Sequence, residues 1–475
     1  MSDVVMRQRQ VQVTACHILT PNIPSSPQNP HGTVDVLSVV QRIDLYESVF
    51  QNTISGNVVL TEDVGWIEYL PMVGIEHLYL QFIVTGADGE DQTYSRMFRI
   101  TKVHDQTFIR HQNRTYVIEF ATPEFVGSVA NRISRRFKNM TCADAVRDIV
   151  EKDLGVSPHM RARFVSPSPV PTWGKIDVTI ANYTPLRAIN YFAMLSLEDE
   201  NQYSGGYLFF ETLKGLYFTS IAGMYRDAKR LDDIGHRQGK ETIPTIRVNP
   251  AAQGPSNDDR DAIFRIHQEQ TFDLLAGIAS GFYAARVFHF DLLAQKFRCR
   301  GVPVSLAGQV DQTDSLYTDT FEKTKQLHST RYPLTPKYFE REFSPNVRQF
   351  MVPTNSWSTA NTETAAGKTA LENEQLMHKS IAIRNRQLRE IRQIETLVEL
   401  PGQPGVHAGS LVDLRYPMSE PLERFHPTLT PHSGIHLVTS VHHTLVIKDA
   451  ADFDYRMSLR VAKSSLNRPF NVAGT

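Results

Sequence analysis

The chain has 475 residues, 41% of them hydrophobic and 21% charged, and this globular composition excludes a wholly disordered protein. Its 50 Lys and Arg nearly balance 51 Asp and Glu, giving a net charge of -1, which argues against a surface built throughout to hold nucleic acid. Because one hydrophobic core stops growing at about 250–300 residues, we expect two to four packed units.

Three isolated cysteines, Cys16, Cys142 and Cys299, form no CxxC pair. Their spacing supports neither a disulfide framework nor a cysteine-based metal site, so we expect reduced, buried thiols. The N-terminal segment lacks the apolar core of a signal peptide, and no stretch approaches the ~20 apolar residues that span a bilayer. We therefore expect a cytosol-like compartment and no membrane insertion by this chain.

The first 122 residues are predicted to be β-structure. Alternate residues are apolar in the run from Glu76 to Val84, which indicates a half-buried strand, and the runs Ser95–Val103 and Tyr116–Ala121 behave alike. Polar turns separate these runs. The pattern predicts a sandwich or barrel of about six strands.

From about residue 123 the hydrophobic period changes to that of helices. Thr141 precedes one apolar stripe as an N-cap, and Thr184 followed by Pro185 is the favoured start of a second helix. The aromatic-rich runs Tyr207–Glu211 and Leu216–Ile221 predict a hairpin. A mixed α/β unit is therefore predicted, followed by a polar linker at 249–261.

The β-pattern returns in the second half of the chain, on both sides of a long irregular stretch. Residues 300–377 carry scattered Pro, Ser, Thr and Asn, so we expect an extended arm or long loop. A helix-like run, Lys379–Ile394, follows the arm. The predicted strands are Phe264–Phe272, Phe282–Leu293, Thr396–Leu400, Leu411–Tyr416, Ile435–Leu445 and Phe453–Val461.

Three groups of motifs, in a fixed order, sample nearly the whole chain. They are YESVFQNTISGNVVLTEDVGWIEYLPMVGIEHLYLQF from Tyr46, GGYLFFETLKGLYFTSI from Gly205, and the pair VELPGQPGVHAGSLVDLRYP and SGIHLVTSVHHTLV from Val398. Their combination and order resemble the baseplate hub family of contractile-tailed bacteriophages. Any one of them would also fit an unrelated β-protein.

The resemblance implies an α+β, mainly β fold with two tube-like β-barrel or sandwich domains, a mixed α/β domain and an extended arm. The expected domains are 1–122 for the first tube-like domain, 123–250 for the α/β domain, 251–299 with 385–465 for the split second tube-like domain, and 300–384 for the inserted arm and helix. The implied assembly is a homotrimeric, pseudo-sixfold ring that connects the tail tube to the central spike and encloses the DNA conduit.

The implied partners are a central spike protein, the tail tube or tube-initiator proteins, and baseplate wedge proteins. The expected location is the tail baseplate of the virion, after assembly in the bacterial host cytoplasm, with the genome passing through without sequence-specific binding. A trimer with two similar β-units per subunit presents six similar patches, which matches a threefold spike to a sixfold tube. Closing strands between subunits would also remove exposed sheet edges.

Histidines crowd the last fifth of the chain: His426, His432, His436, His442 and His443. On a regular strand His436 and His442 share a face while His443 points away, so only part of the group converges. No HExxH motif accompanies them. We expect polar surface or subunit contacts from these residues, and we predict no metal and no cofactor.

Catalytic motifs are absent from the sequence. Glu198, Asp199 and Glu200 follow a predicted helix, and adjacent acids do not face each other across a cleft as those of a glycan hydrolase do. We expect a solvated helix end, with a basic neighbour offsetting the unfavourable helix dipole. The sequence has no GxSxG elbow and no phosphate-binding loop, so we expect no enzyme.

Two features are candidates for partner binding. Arg384, Arg386, Arg389 and Arg392 form a basic series in the helix-like run, which indicates a solvated face or an acidic subunit contact rather than DNA binding, since tight binding would oppose transit. Trp357 lies in an arm otherwise poor in apolar residues. Large aromatic residues are favoured interface anchors, and the equal alternative is that Trp357 folds back onto its own domain.

Other functions stay open beside the hub. A hub or spike component of a type VI-like contractile injection system would share the fold, but such proteins usually continue into a repetitive β-helix, and no short-period repeat occurs here. A tail-associated cell-wall-degrading enzyme would need the carboxylate geometry that the sequence lacks. A peripheral carbohydrate-binding module of the baseplate would lie off the tail axis.

Overall fold

The computed structural model shows a mainly β fold, as the sequence predicts. It describes most residues of 10–226, 245–302, 349–353 and 381–463; the longer gaps within these ranges are 24–31, 66–71, 86–90, 155–163, 200–204, 249–261, 292–295 and 416–431. Within these described ranges, no helix is both long and apolar enough to cross a membrane.

The N-terminal part consists of strands whose burial alternates residue by residue. In β4 (Ser55–Glu62) and β5 (His77–Thr85) every second side chain is buried, which confirms the strand predicted from Glu76 to Val84. The described elements are β1 (Gln10–Leu19), β2 (Thr33–Asp35), a 3-10 helix (Leu37–Val39), β3 (Val40–Ser48), β4 (Ser55–Glu62), β5 (His77–Thr85), β6 (Asp91–Ile109) and β7 (Asn113–Ala121).

The middle of the chain alternates helices and strands. The Thr141 side chain accepts a hydrogen bond from the Asp144 amide and Thr184 accepts one from the Arg187 amide, so both predicted helix starts are confirmed. The described elements are α1 (Pro123–Ala130), β8 (Ile133–Met140), α2 (Cys142–Lys152), β9 (Ile176–Tyr183), α3 (Pro185–Leu195), β10 (Tyr207–Thr212) and β11 (Gly215–Ser220).

The C-terminal part returns to strands. Residues 381, 384–385 and 387–389 are helical, in agreement with the helix-like run, and the predicted arm lies outside the described residues except at 300–302 and 349–353. The described elements are β12 (Thr245–Val248), β13 (Ala262–Ile263), β14 (Arg265–Gln270), α4 (Leu274–Ser280), β15 (Ala285–Asp291), β16 (Lys296–Val302), β17 (Gln349–Pro353), β18 (Ile394–Pro401), β19 (Leu411–Arg415), β20 (Gly434–Asp449) and β21 (Asp452–Lys463).

Eight antiparallel strands close into a ring. The pairing runs β3-β4-β7-β6-β5-β1-β21-β20, and β20 pairs back onto β3. At one seam Val11 of β1 is opposite Phe453, and at the other Tyr46 of β3 is opposite His442. The first ring therefore combines six strands from the start of the chain with two from its end.

A second circuit of strands uses the same two C-terminal strands. Its pairing runs β12-β19-β20-β21-β18-β14, and β13, which is separated from β14 only by residue 264, pairs back onto β12. The strand β12 thus belongs by its pairing to this ring, although it lies within the predicted α/β range of 123–250. β15 instead pairs with β16 and β17 in a separate three-stranded sheet.

The hairpin β20–β21 is long enough to serve both rings. The residues near its tip pair with β1 and β3, and the residues near its open end pair with β18 and β19. Both circuits close within one chain, so the expected closure of these strands between subunits is not needed to remove their edges.

One hydrophobic core runs from the first ring into the second. It includes Phe82 and Phe120 of the first ring, Leu400 and Leu414 of the second, and Leu459 of the shared hairpin. Burying each such side chain stabilises the fold by about 1.5–3 kcal/mol.

The α/β unit has a core of its own, built on Phe137, Val146, Phe192 and Phe218, in which Phe137 and Phe192 meet edge to face at 5.0 Å. Cys16 and Cys142 are buried free thiols, as predicted, and burial raises the pKa of each to about 12.

Candidate partner-binding groove and buried polar junction

Two residues of the predicted basic series lie on a surface groove of about 390 Å³. We call it the α4 groove. Arg389 and Arg392 are exposed along it, beside Phe50 and the helix α4. The lining residues are Ser48, Phe50, Asp273, Ala276, Gly277, Ser280, Arg389, Arg392, Glu395, Thr439, Ser440 and Arg460.

The guanidinium groups of the α4 groove are held in different ways. Arg392 lies over the Phe50 ring, with 4.1 Å between its Cζ and the ring centroid. Arg460 pairs with Glu269 through both carboxylate oxygens, at 3.0 Å and 3.1 Å. Arg389 is exposed. Arg392 and Arg460 are therefore held by neighbouring side chains, whereas Arg389 forms no ion pair with a residue that the structure describes.

Arg384, a third member of the basic series, points into the protein. Its Nη1 donates to the backbone carbonyl oxygens of Ala193 at 3.3 Å, Gly205 at 3.2 Å and Tyr207 at 2.7 Å. Burial lowers the pKa of Arg384 to about 10. Its described contacts therefore tie the end of α3 to the start of β10.

Trp357 and Arg386 lie outside the described residues. Partner binding by the five residues chosen from the sequence stays a prediction.

A buried polar junction, which we did not predict, lies at the end of the first ring. The Glu47 carboxylate is fully buried and accepts hydrogen bonds from the Leu213 amide at 2.7 Å and the Ala408 amide at 3.2 Å. His443 Nε2 lies 3.6 Å from Glu47 Oε1. Glu47 therefore joins β3, the tip of the β10–β11 hairpin and the loop between β18 and β19.

Further contacts join the same segments. The Lys214 Nζ donates to the Gly405 carbonyl at 3.3 Å, and the Tyr217 hydroxyl lies 3.2 Å from His407 Nε2. Burial, aided by the Lys214 charge, lowers the pKa of His407 to about 4. Burial raises the pKa of Glu47, but attraction to His443 and His407 and the Leu213 amide outweigh it, and the pKa falls below its usual range.

A β-bulge changes which histidines share a face of β20. The register of β20 against β21 shifts between Val438 and Ser440, and Val438 and Val441 consequently face the same core although they are three residues apart. The prediction that His436 and His442 share a face is therefore wrong.

The histidines of β20 make internal contacts. His436 and His443 are buried, and His443 Nδ1 is 2.8 Å from the Tyr455 hydroxyl. His442 Nε2 instead lies outside the core, 2.8 Å from Asp44 Oδ1. The expected role in polar surface is therefore wrong for His436 and His443, while His426 lies outside the described residues.

The acidic cluster is also placed differently from the prediction. Helix α3 ends at Leu195, and the chain then turns inward, so that Glu198 is buried, pairs with Arg226 and accepts a hydrogen bond from the Ser220 hydroxyl at 3.0 Å. The solvated helix end is wrong for Glu198, although the expected basic neighbour is present. Asp199 is exposed, and Glu200 lies outside the described residues.

The buried polar side chains Glu47, His443 and Glu198 bind other segments of the same chain. In the part of the chain that the structure describes, no group of three or more His, Cys, Asp or Glu side chains is placed to hold a metal ion. The junction had one signal in the sequence: Ile43, Leu45 and Glu47 alternate on one face of β3, so a carboxylate occupies a position that the strand pattern assigns to the core.

The known proteins to which this chain is similar are solved structures. No family model matches the chain, and no curated protein matches it. The chain is similar to a tail protein from Neisseria meningitidis MC58, at 12% identity and a TM-score of 0.47, over 94% of this chain and 96% of that one.

It is also similar to the 43 kDa tail protein of prophage MuSo2 from Shewanella oneidensis, at 11% identity and a TM-score of 0.44, over 95% and 99% of the two chains. A third similarity is to a chain of the Francisella PdpA-VgrG complex, at 8% identity and a TM-score of 0.45, over 100% of this chain and 61% of that one. The similarities extend along almost the whole of this chain.

Proposed function

We propose that the chain is a structural subunit of a baseplate hub, which joins a sixfold tail tube to a threefold central spike without a chemical step. The observation that supports this function is the pair of closed strand rings that share the hairpin β20–β21. Three copies of such a chain supply six rings of strands around one axis, so that the two symmetries meet in one assembly.

The internal joints of the chain suit a load-bearing role. The two rings have one continuous core, and the Glu47 junction fixes the β10–β11 hairpin of the α/β unit to the end of the first ring. Packed interiors of this kind have low compressibility and transmit strain. A force applied to one ring therefore reaches the other with little internal deformation.

Contacts that the two rings make with other copies would come from side chains, because the described strands of both rings are paired within the chain. The surfaces of a hub subunit would then be specified by charge and shape rather than by added strands. This arrangement also lowers the risk that incomplete assemblies aggregate through free strand edges.

The test is the symmetry and mass of the full-length protein, measured with and without the central spike protein of the same tail. We expect light scattering to give three times the 53.8 kDa chain mass, and negative-stain images to show a threefold ring with six lobes. A stable monomer in the presence of the spike would overturn the hub. Clearing of cell-wall material in a zymogram would overturn the proposal that there is no chemical step.

A further inference from the structure

The helix α1 has a polar inner side and an apolar outer side. Its buried residues are Glu124 and Ser128, whereas Phe125 and Val129, four residues apart on one helical face, are 43% and 58% exposed. The Ser128 hydroxyl accepts a hydrogen bond from a backbone amide of α3, and the Glu124 carboxylate is attracted to Arg96 of β6. Because a surface helix normally turns its apolar side toward a core, the outer side of α1 is suited to contact another surface.

Three further apolar side chains are exposed beside α1, which packs against β6. Arg99 of β6 is opposite the last residue of β7, two residues before α1 begins, and its guanidinium donates to the Gly74 carbonyl oxygen at 2.8 Å. The exposed residues Val73 and Ile75 flank Gly74, and exposed Met97 is two residues from Arg99 on the same face of the strand. We use the name β6 face for Val73, Ile75, Met97, Phe125 and Val129.

The β6 face has the composition of a protein interface. Soluble monomers seldom expose a group of large apolar side chains, and such groups commonly mark contact surfaces. Two arginines lie at its margin and donate to backbone carbonyl oxygens, Arg99 to that of Gly74 at 2.8 Å and Arg132 to that of Val129 at 3.1 Å. An apolar centre with a polar margin is the usual arrangement of a surface that binds another protein.

The position of the β6 face in the first ring indicates which surface covers it. In the circuit β3-β4-β7-β6-β5-β1-β21-β20, the strand β6 is four strands from β20 in both directions, so the two strands lie on opposite sides of the ring. The second ring of the same chain is built on β20 and β21. The β6 face therefore lies on the side of the first ring that is away from the second ring of its own chain.

We propose that the β6 face binds the second ring of a neighbouring copy of this chain. With six rings around one axis, each first ring has the second ring of its own chain on one side and that of the next copy on the other. The contact then occurs three times and closes the assembly head to tail. This inference rests on the proposed hub, whose contacts between subunits it assigns to named residues.

Val129→Glu should weaken the assembly, because it places a carboxylate in an apolar contact. We expect light scattering to show the mass falling from three chains toward one, with a dissociation constant raised about tenfold or more, and an unchanged circular dichroism spectrum because Val129 is at the surface. Leu275→Glu is the matched control. Leu275 is 77% exposed on α4, which lies beside β20 on the opposite side of the first ring, and this variant should assemble like the unsubstituted protein.

Photo-crosslinking identifies the surface that covers the β6 face. Full-length chains with p-benzoylphenylalanine in place of Val129 are assembled with unsubstituted chains that carry a heavy isotope label, so that cross-links between copies are recognised by mass. We expect heavy peptides from the strands of the second ring.

A trimer that is unaffected by Val129→Glu, an equal loss in Leu275→Glu, or cross-links that reach only the α/β unit of a neighbour or the spike protein would overturn this inference and leave the hub in place. A stable monomer in the presence of the spike would overturn both.

Discussion

Replacing Glu47 by alanine should loosen the joint between the first ring and the α/β unit. The carboxylate accepts from the amides of Leu213 and Ala408, which lie 166 and 361 residues away in the sequence. Alanine has no acceptor, so both amides lose their partner inside the protein. His443, at 3.6 Å, loses its nearest carboxylate as well.

The expected cost follows from the number of groups left without a partner. The Ala408 amide is buried, and a buried amide that loses its acceptor destabilises a protein by about 1–3 kcal/mol. The half-buried Leu213 amide adds a smaller loss, so we expect a total of about 1–5 kcal/mol in the free energy of unfolding. Glu47→Gln keeps one acceptor oxygen and should cost about half as much. Chemical denaturation monitored by fluorescence measures both values.

Hydrogen exchange locates the effect. Glu47→Ala should speed exchange at the Leu213 and Ala408 amides, which belong to separate segments. Glu76→Ala is the matched control, because Glu76 is also buried and accepts from two backbone amides, those of Val73 and Gly74 in its own loop. Since Val73 is 67% exposed, water can replace this acceptor, and the loss should be smaller and confined to that loop.

The pH dependence gives the second readout. Because the folded-state pKa of Glu47 lies below its usual value, its ionisation stabilises the fold above pH ~4.3 and this contribution is lost as the pH falls further. The difference between the unsubstituted protein and Glu47→Gln should therefore shrink at acidic pH. A loss below about 1 kcal/mol for Glu47→Ala, or unchanged protection of both distant amides, would refute the assignment of this joint to Glu47.

Two glycines and one histidine supply the remaining predictions. Gly402→Ala places a methyl group inside the Tyr455 ring and should cost about 1–3 kcal/mol, whereas Gly127→Ala, in α1 with open space around it, should stabilise by about 0.5–1 kcal/mol; thermal melts that show the same sign for both would contradict this. His407 has a folded pKa of about 4, below the ordinary value of ~6.5, so stability should fall as the pH drops between these values, by at most ~1.4 kcal/mol per pH unit. His407→Gln should flatten that slope in denaturation curves recorded across the range, and an unchanged slope would show that His407 does not titrate there.

The elements that sequence reasoning located are those with local signals. Thr141 and Thr184 cap their helices through an amide three residues ahead, and the alternation of β5 is visible within nine residues. These interactions involve side chains and backbone groups that are close in the sequence, so a local sequence pattern predicts them.

The sequence predictions fail where contacts between distant segments determine the structure. The seam between β20 and β3 joins Thr444 to Asp44 across the whole chain, and no periodicity within either strand specifies that partner. A single bulge after Val438 reverses the alternation on which the histidine prediction depended. Glu198 is buried because Arg226 and Ser220 meet it from a later segment, which a helix-end argument does not include.

The shared hairpin also sets the order in which the protein is able to fold. The first ring needs β20 and β21, which the ribosome produces more than 300 residues after β7. The second ring needs the same two strands. During most of synthesis, β1 therefore lacks its partner strand β21 and β3 lacks its partner strand β20. Unpaired edges of nascent chains are where neighbouring copies associate wrongly. Truncation near residue 430 should therefore yield chains that aggregate during expression, and supplying the β20–β21 hairpin as a separate peptide should reduce that aggregation.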